Sequence, residues 1–195
     1  MHFLKSKVDD FEDAIKLIDF TIDEFKTVNY LITNGPEINK LDLDFDESIV
    51  DFKTCFNDYL LSVYNINKLI INYWKEFKLQ GQIINCASDV LYPSSKVTNH
   101  SIIKRTLVGL TRNLAIENAK NDIKVNMISH GWIKNSKILN EVMKNTNENE
   151  ILAKIPMNKL GNEDDVYKAV EFLLANPDLY MTGQNIIIDG GLSFK

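Results

Sequence analysis

Cysteine is nearly absent from this chain: Cys55 and Cys86 are the two thiols among 195 residues. Two thiols do not make the disulfide framework of a small secreted domain, and they read as buried or idle groups in a reducing compartment. Long apolar runs are missing too. No stretch reaches the roughly 18 residues needed to span a bilayer, and the opening MHFLKSKVDD has no signal-peptide apolar core. Basic charge is not in excess, with 22 Lys and Arg against 27 Asp and Glu for a net charge of −5. A general nucleic-acid binder would need a basic face, so that class is not expected. The three histidines, His2, His100 and His130, have no ligand spacing. The acidic stretch LDLDFDE (41–47) lacks the glycine and spacing of a calcium loop. The composition therefore leads us to expect a soluble cytoplasmic protein with no metal, no membrane partner and no nucleic acid.

What is present is alternation. The length suits one domain over 1–195 with a substantial core. Phe11, Ile15, Ile18, Ile22 and Phe25 recur at steps of four and three, which predicts a helix over 9–27. Asp9 and Glu12 form a capping-box pattern at its start. NYLITN (29–34), GQIINCAS (81–88), IKVNMIS (123–129) and GQNIIID (183–189) read as short buried strands. Helical patterns fill about 47–78, 97–119 and 162–175, and KNTNENE (144–150) reads as a solvated loop. In the second helix Ile49, Phe52, Phe56, Val63, Ile70 and Phe77 mark the apolar face, and Tyr59, Tyr64, Tyr73, Trp74 and Phe77 read as packing or interface aromatics. Strands alternating with long helices predict an α/β fold, a mostly parallel sheet with flanking helices. Ligands in such sheets sit beyond the carboxyl ends of the strands, here at NGPE, SDVL and HGWIKN.

Four fragments in register, GQIINCAS, KRTLVGLTRNLAIENAKNDIKVNMISHGWI, IPMNKLGNEDDVYKAVEFLLA and YMTGQNIIIDGG, cover about residues 81–191. Together they resemble the short-chain dehydrogenase/reductase family. The resemblance implies an extended Rossmann fold and, in ordinary members, nicotinamide-dependent oxidoreduction. The family's catalytic lysine precedes a segment like LVGLTRNLA (107–115), which puts it at Lys104 and the catalytic tyrosine at His100. Ser88, ending INCAS, falls at the catalytic serine. The Tyr-x-x-x-Lys pattern at Tyr92 and Lys96 is then a decoy, with Pro93 disfavouring a helix there.

Other family positions are altered. Asn-Asn-Ala-Gly reads TNGP (33–36) and keeps Asn34; Pro-Gly reads His130–Gly131; and the threonine that contacts the nicotinamide is Asn135. The structural asparagine, counted back from Ser88, falls at Tyr59 or Leu60, and Asn57 fits only with a small gap. No glycine precedes Gly35, and Lys7 stands where the resemblance places an adenine-contacting aspartate. These departures imply a truncated Rossmann-like domain whose first βαβ cofactor half is missing, and no cofactor unless a partner completes an NAD(P) site.

The expectation is accordingly a degenerate family member, a non-catalytic oligomer subunit or scaffold, with Ser88, His100 and Lys104 as remnants. Two alternatives stand beside it. Those three residues could run a cofactor-independent acid–base enzyme, an isomerase, dehydratase or lyase, or a partner chain could complete an NAD(P)-dependent oxidoreductase. An open edge at strand 29–34 would have to be covered, by residues 2–8 or by another chain. A homo-oligomer, or a hetero-oligomer with a fuller family member, is the expected state.

Overall fold

The structure is a computed structural model that describes residues 2–35, 49–88, 99–144 and 146–194. Tyr92, Lys96 and the acidic stretch 41–47 lie outside the described residues, as do the side chains of Ser88 and His100. Four strands, β1 (Tyr30–Asn34), β2 (Gly81–Ser88), β3 (Ile123–His130) and β4 (Asn185–Ile188), form one sheet in the order β1-β2-β3-β4. Every pairing is parallel, with Ile32 opposite Ile84, Ile84 opposite Asn126 and Ile128 opposite Ile186. Parallel neighbours need crossovers, and helices supply them. The expected α/β class with a parallel sheet and flanking helices is what the chain adopts.

One face of the sheet is covered by α3 (Ser62–Glu76) and α4 (Asn99–Asn118), with α1 (Phe11–Phe25) packed on α3. Trp74 and Ile70 are fully buried there against Ile83, Ile123 and Val125. Gly81 opens β2 because a Cβ would stand 2.3 Å from the Trp74 ring. The other face is covered by α7 (Glu163–Ala175), where Leu173 meets Ile84, Cys86 and Ile128. Alternation along β2 and β3 sends neighbours to opposite faces, and residues 82–87 and 125–129 are buried without a break, polar Gln82, Asn85, Asn126 and Ser129 included.

Four features differ from the sequence reading. The buried face of α1 is Ala14 and Ile18 with Leu17 and Ile22, while Phe11 and Phe25 are exposed at its ends. Its cap is Asp10, whose carboxylate accepts from the Asp13 amide at 3.0 Å, one residue later than expected. KNTNENE is not all loop: Asn147 caps the short helix α6 (Glu148–Leu152), which follows the equally short α5 (Lys137–Val142). Residues 2–8 do not enter the sheet. The Asn65 amide instead holds the Val8 and Asp9 carbonyls at 3.2 and 3.1 Å, and Tyr30 and Ile32 stay half-exposed on β1.

The second long helix is broken in register. It begins as α2 (Ile49–Cys55), widens into a π-helical turn over Phe56–Leu61, and resumes as α3. A π turn fits an extra residue into the helix, so the apolar stripe before it does not continue after it. That is why Phe56 is exposed while Tyr59 is buried.

Candidate functional site

The carboxyl ends of β1, β2 and β3 carry the chemistry-bearing residues. Beneath them lies a buried polar network. The Asn85 side-chain oxygen accepts from Thr33 at 2.8 Å and from Asn67 at 3.1 Å, and its amide donates to Thr111 at 3.1 Å. Asn67 also donates to the Val63 carbonyl at 2.6 Å. One residue on β2 thus ties together β1, α3 and α4. Thr111 lies two helical turns beyond Lys104, on the same face of α4, so this network sets the depth at which α4 presents the lysine.

Lys104 is only 9% exposed. Its Nζ lies over the Tyr59 ring, 5.2 Å from the centroid. A buried ammonium is costly without compensation, and an aromatic face supplies about 2 kcal/mol when both groups are desolvated. The ring in turn sits against the end of β1, where Gly35 leaves room for it. A Cβ at that position would be 2.6 Å from Tyr59 Cε1.

His130 closes β3, opposite Ser88 on β2 and Ile188 on β4. Its Nδ1 is 3.1 Å from the Gly131 carbonyl; with the proton on Nδ1, Nε2 is left as an acceptor. Burial pushes the imidazole below its ordinary range, the Gly131 carbonyl opposes this, and the Lys104 charge adds to it. Cys86, two residues before Ser88, is pushed up to about 11 by burial and is an inert neutral thiol at neutral pH.

The loop after β3 is pinned at both ends. The Gly131 amide donates to Ile188 at 2.9 Å, Lys134 to Gly161 at 2.9 Å, and Gly161 back to Trp132 at 2.9 Å. Asn135 takes a left-handed φ of 59°. Behind the loop opens a cleft of about 200 Å³ with Trp132, Ile155, Met157 and Ile188 on its apolar side and Lys168 and Asp165 on its polar side.

Ser88 therefore sits at a strand end beside His130, and His100 lies in the first turn of α4, four residues before Lys104. Among the three positions weighed for the family asparagine, the structure buries Tyr59 and leaves Asn57 exposed. Asn34 ends β1 on an exposed position. Sequence reasoning took Tyr59 as helix packing, and its contact with Lys104 was missed. The uncertain spacing of Asn57, Tyr59 and Leu60 from Ser88 was the available signal, since a π turn produces that slip.

These ends fit the nicotinamide end of a dinucleotide: a pinned loop of polar backbone beside two strand ends, with a buried cation close by. The start of α1 does not fit the phosphates, because Asp10, Glu12 and Asp13 crowd its first turn with negative charge.

A parallel sheet with helices on both faces and polar residues at its strand carboxyl ends defines a Rossmann-like α/β protein. The chain belongs to the short-chain dehydrogenase/reductase family: residues 1–193 match the family described as Enoyl-(Acyl carrier protein) reductase. It is 34% identical over 182 residues to the 3-oxoacyl-[acyl-carrier-protein] reductase FabG of Buchnera aphidicola subsp. Baizongia pistaciae, covering 92% of this chain and 72% of that one. It is 28% identical over 183 residues to the FabG of Thermotoga maritima, again covering 92% and 72%. The solved structure of ElxO with NADP bound superposes with a TM-score of 0.88 at 26% identity, covering all (100%) of this chain and 79% of that one.

These relatives overturn two expectations. A non-catalytic scaffold and a cofactor-independent acid–base enzyme are both contradicted, since the relatives that match along nine-tenths of the chain are named as reductases. The expected lack of a cofactor, or need of a partner to complete one, is contradicted by a neighbour of the same fold that has NADP bound. Among the described residues no helix is long and apolar enough to cross a membrane.

Proposed function

We propose that this chain reduces the ketone of a 3-oxoacyl thioester at the expense of a reduced nicotinamide dinucleotide. The observation that carries the reading is the 34% identity to a 3-oxoacyl-[acyl-carrier-protein] reductase along 92% of the chain. The cofactor supplies the hydride. The loop Gly131–Asn135 would hold its nicotinamide end through backbone groups, and the apolar side of the cleft behind that loop suits a short acyl chain.

The chain's own residues are assigned as follows. The Ser88 hydroxyl hydrogen-bonds the ketone oxygen and polarises it. His100, in the tyrosine position, gives the proton that this oxygen takes up, and water replaces it on the imidazole. Lys104 holds positive charge one helical turn away, favouring the alkoxide as it forms. Mixing the purified protein with NADPH and acetoacetyl-coenzyme A tests the reading, with loss of reduced-nicotinamide absorbance as the signal. Turnover that falls at least about a hundredfold in Lys104→Met supports it. No turnover with either NADH or NADPH would sink it.

An oligomer is the second part of the proposal. The half-exposed Tyr30 and Ile32 on β1, whose outer edge pairs with no other strand among the described residues, support it, because such an edge invites pairing. Light scattering that returned a monomer at micromolar concentration would overturn it.

A further inference from the structure

Three observations converge on Tyr59, one of the positions weighed for the family's structural asparagine, where this chain has an aromatic ring instead. The helix that carries it departs from α-helical register over Phe56–Leu61, and π turns of this kind are rare and concentrated at functional sites. Without the extra residue the apolar stripe through Phe52 and Phe56 would run on to the buried Val63; with it, Phe56 is exposed while Tyr59 stays buried. The end of β1 is glycine where any side chain would strike the Tyr59 ring, at 2.6 Å from Cε1 and 2.8 Å from Cδ1. The face of that buried ring lies under the ammonium of a lysine that is itself 9% exposed.

We propose that Tyr59 is a positioning residue, whose ring fixes the Lys104 ammonium beside His130 at the carboxyl end of the sheet. The assignment deepens the reductase reading and rests on it for its kinetic consequences. A lysine side chain has four rotatable carbons and no shape of its own, so a buried ammonium goes where its partners hold it. Backbone packing through Thr111 and Asn85 brings the stem to the right depth. The ring face is then one of the groups that hold the charge at the end of that stem.

His130 reports that position without any substrate. From α4, Lys104 is the charged group that acts on it. From β2, Cys86 is neutral at ordinary pH. At the end of β4, Asp189 has its carboxylate oxygens on the Gly191 and Ser193 amides at 2.8 and 2.6 Å, and Lys134 in the loop is exposed. A displaced ammonium would therefore change what the imidazole feels more than any neighbouring charge would.

The test is an NMR titration of the histidine ring protons in the purified full chain, with His130 assigned by loss of its signal in His130→Gln. Tyr59→Leu removes the aromatic face and should shift the His130 midpoint upward, as should Lys104→Met. Tyr59→Phe keeps the face and should restore the midpoint towards that of the unsubstituted protein. With NADPH and acetoacetyl-coenzyme A, Tyr59→Leu should lose roughly tenfold in kcat with little change in KM, and Tyr59→Phe should recover most of it. A His130 midpoint indifferent to Tyr59→Leu in a folded protein overturns the proposal. Should Tyr59→Leu fail to fold, a midpoint indifferent to Lys104→Met overturns it equally. If the unsubstituted protein turns over no 3-oxoacyl thioester, the reductase reading fails, and the titration still decides whether the ring seats the lysine.

Discussion

Gly35 and Tyr59 are in contact across the end of β1, and the contact exists because position 35 has no side chain: a Cβ would lie 2.6 Å from the ring. The conformation of the strand end and the placement of a helix aromatic some two dozen residues later are therefore one constraint. Gly35→Ala should force the ring or the strand end to move. Overpacking of this kind costs about 1–3 kcal/mol, measurable as a lower urea midpoint with an unchanged slope. An unshifted midpoint would mean that the ring yields freely.

Asn85 has its polar atoms shared among Thr33, Asn67 and Thr111. Asn85→Leu would leave those partners buried without it, at about 1–3 kcal/mol for an unsatisfied group. A double-mutant cycle with Thr111→Val should give a coupling energy of at least about 0.5 kcal/mol. Additive losses would show that the two side chains are neighbours without being partners.

His130 links stability to pH. Its folded-state pKa lies below the ordinary value of 6.5, burial being the main cause. An unfolded chain then binds the proton more readily, so the neutral imidazole's contribution is complete above pH 6.5 and declines as pH falls through the folded value. Urea unfolding between about pH 8 and about pH 5 should show stability falling on the acid side. The fall should be shallower in His130→Gln; the same slope in both would assign the acid sensitivity elsewhere.

The sheet was legible because GQIINCAS and IKVNMIS are short β-branched and apolar stretches set between long helical patterns, which is how strands of a parallel sheet read. Motif spacing also placed Ser88 at a strand end and Lys104 on a helix, and β2 does end at Ser88 while α4 carries Lys104. The π turn was not legible. Phe52, Phe56 and Val63 continue an acceptable α-helical stripe in the sequence, and only packing against the sheet reveals that Phe56 is exposed and Tyr59 buried. The contact of Tyr59 with Lys104 joins residues far apart in the chain, and local periodicity carries no trace of such a pairing. The edge of β1 was foreseen, but its covering by residues 2–8 was not realised: that segment is held by Asn65 on α3 instead.

The parallel sheet also sets a timetable for folding. None of its strand pairs can form as a hairpin, and Asn85 meets Thr33 across 52 residues and Thr111 across another 26. Such contacts require large loops to close before any of them is rewarded, which makes the sheet slow to assemble. As the chain emerges during synthesis, β1 and β2 are finished well before α4 brings Thr111 to Asn85. Until then an amide that ends among hydrogen-bonding partners is surrounded by an incomplete core. The nascent protein therefore passes through a stage in which β2 is exposed to aggregation, and that stage ends only when α4 has covered its face and β3 has paired its second edge.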